Sequence, residues 1–329
     1  MALCNSISHD LSAFEHGPLN AFAPEQSEDV RTWNVWFPLS PHVETLLEHA
    51  KRLGVSTQVI SVLTNKLGLY LKGCGAYTQA ELLLRRALEI EEQSLRPEDP
   101  EVARKLNSLA EVLNETNRLR EAEPLYERAL AIREKALGPE HPDVAQSLNN
   151  LARLYVNQGQ HARAEPLYER ALAIREKVLG PEHPDVATNL NNLAALYYRQ
   201  GQYVQAEPLY ERALAIREKA LGPEHPDVAT SLDGLARLYA DQGQFTKAEP
   251  LYERALTIRE KALGPEHPDV AASLNGLARL YADQSQFTKA EPLYKRGFWC
   301  KRLKRPVHCR NTPDDGTDLC TRSLQGAAF

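Results

Sequence analysis

The sequence has 329 residues, of which 43% are hydrophobic and 25% are charged, and its formal net charge is −5. These values are typical of a globular protein with one to three domains and argue against a disordered chain. Because the charge is spread over both signs and is negative in sum, we expect no nucleic-acid partner. No basic segment followed by an apolar core opens the chain, and no run of about 18 apolar residues occurs. We therefore expect a cytoplasmic protein with no membrane partner.

The N-terminal part of the chain precedes any repeated pattern. Residues 1–39 are predicted to form an extension that is partly irregular. Residues 40–57 are predicted to contain a short helix, from Ser40 to about Leu53, that caps the repeats which follow.

A 42-residue repeat occupies the centre of the chain. The stretch LGPEHPDVA recurs at residues 137, 179, 221 and 263, and a degraded copy, LRPEDPEVA, stands at residue 95. A fixed period of this length indicates stacked units, each too small to bury its apolar face alone. The sequence predicts six such units over residues 58–297, with the last one truncated.

Each unit is predicted to contain two helices, here called helix A and helix B. In the third unit Val144, Leu148, Leu151 and Tyr155 form one apolar stripe of a helix. Gly159 ends this helix A, and the apolar pattern of helix B then runs to Gly180.

The linker between units contains residues that typically end one helix and start the next. Gly138 suits the end of helix B, Pro142 suits the first turn of the next helix A, and Asp143 favours the positive end of the helix dipole. A His-Pro-Asp tripeptide also occurs in J-domain cochaperones, but once per domain, whereas here it recurs at every junction. Histidines one repeat apart cannot share a metal ion, because packed helices are ~8–10 Å apart. We expect no metal and no cofactor.

The signature positions of each unit resemble those of a tetratricopeptide repeat. In the third unit these positions are Leu148, Leu151, Ala152, Tyr155, Gly159, Ala164, Tyr168 and Ala171, and the next two units repeat them. The 42-residue period and the LGPEHPDVA linker are similar to the long variant of kinesin light chains and their bacterial relatives. The resemblance implies an all-α fold, a right-handed superhelical solenoid of tandem helix-turn-helix repeats. It also implies binding of other proteins or peptides.

Polar positions of helix A, off its apolar stripe, are predicted to face the concave side of the solenoid and to bind an extended peptide. They are Asn107, Asn149, Asn150, Arg153, Asn157, Asn191, Asn192, Arg199, Asp233, Arg237, Asn275 and Arg279. Each asparagine amide offers a donor and an acceptor to a peptide backbone. Two alternatives to peptide binding stay open. In the first, the asparagines are polar side chains that contact only solvent. In the second, the arginines are already paired with carboxylates at i,i+4, Arg237 with Asp241 and Arg279 with Asp283.

The repeat pattern stops near Gly297, which stands where the other units have alanine. Residues 298–329 are predicted to be an irregular tail. Cys300, His308, Cys309 and Cys320 are four possible zinc ligands but contain no Cys-x-x-Cys pair. The stretch KRLKR at 301–305 matches a nuclear-import patch, but a solvated basic stretch explains it as well.

We find no catalytic constellation and no phosphate-binding loop, so we expect no enzymatic activity. The favoured function is a protein–protein interaction scaffold or adaptor. The alternative is a structural or regulatory array, either the detached sensor of a signalling NTPase or a scaffold capable of self-association. Residues 1–39 contain no heptad coiled coil, which argues against association with a motor.

Overall fold

A computed structural model describes residues 33–52, 58–265 and 267–302. Every regular element in these three ranges is an α-helix, and there are thirteen of them. The helices are α1 (Trp33–Arg52), α2 (Gln58–Gly73), α3 (Tyr77–Ser94), α4 (Pro100–Glu115), α5 (Leu119–Leu137), α6 (Pro142–Asn157), α7 (His161–Leu179), α8 (Pro184–Arg199), α9 (Tyr203–Leu221), α10 (Pro226–Asp241), α11 (Phe245–Leu263), α12 (Pro268–Asp283) and α13 (Phe287–Arg302).

The helices pair as the repeat predicts. The even-numbered helices from α2 to α12 are helices A, and each packs on the helix B that follows it. Each helix B from α3 to α11 also packs on the helix A of the next unit, so contacts run along the chain without interruption. The predicted all-α solenoid of tandem repeats is confirmed.

Small and large side chains alternate in the contact between helices A and B. Ala152 and Ala171 are fully buried, and Tyr155 and Tyr168 are nearly so. A methyl group at each alanine lets the two backbones approach closely, while the tyrosine rings fill the space beside them. Each fully buried Leu or Val of the stripe contributes about 1.5–3 kcal/mol.

The residues of the repeated linker each have a defined structural role. Gly138 adopts a φ of 88°, a conformation that favours glycine, and ends α5. The imidazole Nδ1 of His141 accepts a hydrogen bond from the N–H of Asp143 at 3.1 Å, which makes this histidine the N-cap of α6. In the degraded copy the carboxylate of Asp99 accepts from the N–H of Glu101 at 2.9 Å. The position therefore requires a hydrogen-bond acceptor rather than an imidazole.

A buried arginine of helix B joins each inner unit to the next. The Arg133 guanidinium donates to the main-chain oxygen of Asp143 and to the Ser147 hydroxyl, both at 2.9 Å. Arg175, Arg217 and Arg259 make the equivalent bonds to the following helix A. Burial lowers the pKa of Arg133, Arg175 and Arg217. These residues were not singled out from the sequence, where they read as part of a solvated charged face.

The two ends of the array differ from the predicted boundaries. Helix α1 begins at Trp33 rather than at residue 40, and it packs on α2, with Val43 fully buried in the core. Helix α13 continues to Arg302, five residues into the segment predicted to be irregular. Residues 1–32 and 303–329 lie outside the described residues, and so do His308, Cys309 and Cys320 of the zinc alternative. Within the described ranges, no helix combines the length and apolar character needed to span a bilayer.

Candidate functional site

Helices A form the inner layer of the stack. Consecutive helices A contact one another from α2 to α12. Neighbouring helices B are instead bridged by long charged side chains, as between Arg170 of α7 and Glu134 of α5 at 2.7 Å. In a curved stack the more closely spaced helices lie on the inside. The surface of helices A that is not covered by helices B is therefore called the inner face.

Most of the predicted asparagines bond to the neighbouring repeat. The Asn192 amide donates to the side-chain oxygen of Asn149 at 2.9 Å, and the Asn107 amide donates to the Ser147 hydroxyl at 3.3 Å. The Asn157 amide donates to the side-chain oxygen of Asn114 at 3.0 Å. These amides thus hold consecutive helices A together.

Asn150 is also part of this internal network. It is only 4% exposed, its amide donates to Glu111 at 3.4 Å, and its oxygen accepts from Gln146 at 3.1 Å. The alternative of merely solvated asparagines does not describe Asn107, Asn149 and Asn150, because all three are buried.

The predicted charged residues of the fifth and sixth units have varied partners. Asp233 accepts hydrogen bonds from Arg259 and from the Ser273 hydroxyl. Arg279 lies 3.1 Å from Asp241 and 3.7 Å from Asp283, so the second expected i,i+4 pair is present. Asn275 is half-buried on α12.

Arg237 does not form the other expected pair. Its guanidinium carbon lies 4.6 Å from the centre of the Tyr198 ring, and the hydroxyl of that ring donates to Asp241. Burial, together with this hydrogen bond, raises the pKa of Tyr198 to about 12. Tyr198 was missed from the sequence. The only available signal was that a tyrosine replaces the Asn114, Val156 and Ala240 of other units.

The central section of the inner face, defined here as α6, α8 and α10, carries three arginines. Arg153 and Arg237 flank Ala195, which occupies the position that they hold in their own units. Arg199 is exposed and forms no ion pair with the described residues. The side-chain oxygen of Asn191 is buried without a hydrogen-bond partner, and so is the Nε of Arg153. The polar groups of this section are therefore incompletely paired, because Arg199 has no ion-pair partner among the described residues and the Asn191 oxygen has no hydrogen-bond donor.

Two tyrosines of helix B lie beneath this section. Burial raises the pKa of Tyr168 to about 12, and the charges of Arg153 and Arg199 oppose that rise. Burial likewise raises the pKa of Tyr210, which lies near Arg237 and Arg199. The sequence identifies both tyrosines only as packing residues. Their phenol groups are nevertheless within the electrostatic reach of the inner-face arginines.

Two further observations on the described chain concern possible ligand sites. A surface groove of about 640 Å³ lies at the turn between α4 and α5, where Arg118 is held by Glu81 and Glu121. In the ranges that the structure covers, no three His, Cys, Asp or Glu side chains are grouped to hold a metal ion.

Comparison with known proteins points to one repeat family. The family model described as tetratricopeptide repeat matches residues 58–135, 101–177, 143–219, 185–261 and 234–298. Among curated proteins, none matches the sequence significantly.

Solved structures give the same indication. A Podosopora anserina putative kinesin light chain with nearly identical repeats is 36% identical, with a TM-score of 0.51 over 61% of this chain and 95% of that one. BtubC (BKLC) from P. vanneervenii is 27% identical, with a TM-score of 0.53 over 70% of this chain and 89% of that one. A Rap protein complexed with competence and sporulation factor is 18% identical, with a TM-score of 0.58 over 81% of each chain, and shares the fold alone.

Proposed function

Because this chain belongs to the tetratricopeptide repeat family, we propose that it is a non-enzymatic scaffold that binds an extended segment of another protein on its inner face. Arrays of this family are typically interaction scaffolds without catalytic activity, and the neighbouring structures support the same class of function. The cytoplasm is the proposed location, and the binding partner is a protein or peptide rather than a nucleic acid.

The observation that carries the proposal is the unpaired polar chemistry of the central section. Arg199 has no ionic partner among the described residues, and Arg237 is partnered by an aromatic ring instead of a carboxylate. An exposed guanidinium presents five N–H donors and no acceptor. The ligand is therefore expected to bring acceptors, which are the backbone carbonyl oxygens and carboxylates of a peptide.

The asparagine network modifies the predicted site. Asn149, Asn150 and Asn192 are proposed to fix the spacing of helices A, because their amides already bond within the array. The residues proposed to contact the peptide directly are Arg153, Asn191, Arg199 and Arg237. A change at Arg199 then tests binding without removing an internal bond.

The test compares two arginine variants of the full chain. Arg199→Ala removes an inner-face donor, whereas Arg212→Ala removes an arginine of α9 that pairs with Glu176 at 2.7 Å between two helices B. Partners captured from lysate by the unchanged protein are identified, and their affinities are measured for all three proteins. Loss of a charge-assisted hydrogen bond, about 1.5–3 kcal/mol, predicts binding at least tenfold weaker for Arg199→Ala and unchanged for Arg212→Ala.

The alternative is a structural or self-associating array, which the internal bonding of the asparagines favours. It predicts equal capture by all three proteins, with sedimentation showing association of the chain with itself. Equal affinities of the two variants for a captured partner would place binding away from the inner face.

A further inference from the structure

The first junction between repeats differs chemically from the four junctions that follow. Where the later helices B carry Arg133, Arg175, Arg217 and Arg259, α3 carries Glu91. Where the later helices A carry Ser147, Asn189, Ser231 and Ser273, α4 carries Lys105. The positive residue has therefore moved from helix B to helix A, and a negative residue has taken its former place.

The two residues are buried together. Glu91 is 1% exposed and Lys105 is 2% exposed, with Lys105 Nζ 3.9 Å from Glu91 Oε2. The Ser61 hydroxyl of α2, fully buried, donates to the same carboxylate oxygen. At the position of Ser61 the other units have alanine, namely Ala103, Ala145, Ala187, Ala229 and Ala271. Three buried positions thus change together at one junction.

We propose that Ser61, Glu91 and Lys105 form a pairing code that makes the first junction incompatible with the other four, so that α3 and α4 pack on each other and not on helices of the later units. The code extends beyond the proposed binding function, because it concerns how the array is built. It acts through α2, α3 and α4, outside the central section.

The incompatibility follows from the charges that each wrong pairing would bury. If α3 packed on a later helix A, the Glu91 carboxylate would meet a serine or asparagine and lack a cation. If a later helix B packed on α4, its arginine would be buried beside Lys105. Both arrangements leave a buried charge unpaired, which is strongly unfavourable. Burial lowers the pKa of Lys105 even though Glu91 lies beside it. The attraction between the two charges therefore offsets only part of the free-energy cost of burying them.

The four later junctions provide no such discrimination. Their arginines all donate to the main-chain oxygen of the first-turn aspartate in the next helix A. Such a helix A can therefore pack on the wrong helix B of the same chain or of a second copy. Exchange of identical elements between chains is a known route to dimers.

The test converts the first junction to the chemistry of the others in the full chain. The variant Ser61→Ala/Glu91→Arg/Lys105→Ser should keep its helix content, because the arginine introduced in place of Glu91 can then donate as Arg133 does. After refolding from denaturant at increasing protein concentration, we expect at least twofold more dimer and larger species than from the unchanged chain, measured by sedimentation velocity. Equal monomer recovery over the whole concentration range would overturn the proposal.

A second set of variants keeps the proposal testable if the triple variant fails to fold. The code is transplanted to the junction between α7 and α8, where Arg175→Glu alone leaves a buried carboxylate. Arg175→Glu/Asn189→Lys/Ala145→Ser should recover most of the melting temperature that Arg175→Glu loses. Without that recovery, Glu91 and Lys105 do not form a self-sufficient pair, and the proposal fails.

Discussion

The side-chain oxygen of Asn149 accepts a hydrogen bond from the amide of Asn192, one repeat further along the chain, at 2.9 Å. Two residues expected to bind the same peptide are thereby bonded to each other. The two asparagines therefore hold α6 and α8 in alignment, and they affect peptide binding only by way of that alignment.

Asn149→Ala should therefore lower the stability of the array. The change leaves the Asn192 amide without its acceptor, and an unsatisfied polar group of this kind costs about 1–3 kcal/mol. Asn149→Asp retains an acceptor and should lose less. Urea denaturation followed by circular dichroism measures both, and equal losses would show that the hydrogen bond contributes little.

Arg217→Ala should be more destabilising than Arg212→Ala, although the two arginines lie on the same helix. Arg217 is buried and donates to the Asp227 main-chain oxygen at 3.1 Å, to Ser231 at 2.8 Å and to Thr188 at 3.3 Å. Loss of hydrogen bonds from a charged donor costs about 1.5–3 kcal/mol. Arg212 forms an ion pair at the surface, worth about 0.2–1 kcal/mol. Thermal unfolding of both variants makes the comparison, and similar melting temperatures would contradict it.

His183→Ala should remove the N-cap of α8 and cost about 1 kcal/mol. His183→Asp should restore most of the loss, because Asp99 caps α4 in the same position with a carboxylate. Chemical denaturation of the two variants gives the difference. Equal losses of stability in the aspartate and alanine variants would show that this position does not require a hydrogen-bond acceptor.

The stability of the protein should fall at alkaline pH. Burial, followed by the hydrogen bond to Glu165, raises the pKa of Tyr197 to about 12. A pKa raised in the folded state gives stability that is complete below the unfolded value of about 10 and is lost as the pH rises through the folded value. Titration of tyrosinate absorbance should show a tyrosine that ionises at a higher pH than free tyrosine. The substitution Glu165→Gln should lower the pKa of that tyrosine. An unchanged titration curve would contradict this assignment.

The linker contains residues of two kinds. Some have roles that follow from their own conformational preferences, and one has a role that depends on a partner in space. Gly138, Pro142 and Asp143 have strong conformational or electrostatic preferences of their own, so their places at the helix ends could be predicted from the sequence alone. The role of His141 could not, because imidazole is an unusual cap and its partner becomes evident only when the N–H of Asp143 is placed beside it.

The sequence by itself determined the all-α solenoid and the identity of helices A and B, because period, apolar stripes and helix signals depend only on neighbours along the chain. Only the tertiary structure decided that Asn149 and Asn192 bond across repeats, that Arg217 is buried, and that Arg199 is left without an ion pair among the described residues. The physical reason is distance in sequence. The hydrogen-bonded partners stand 10 to 43 residues apart, so a polar side chain appears solvated until the next helix is packed against it.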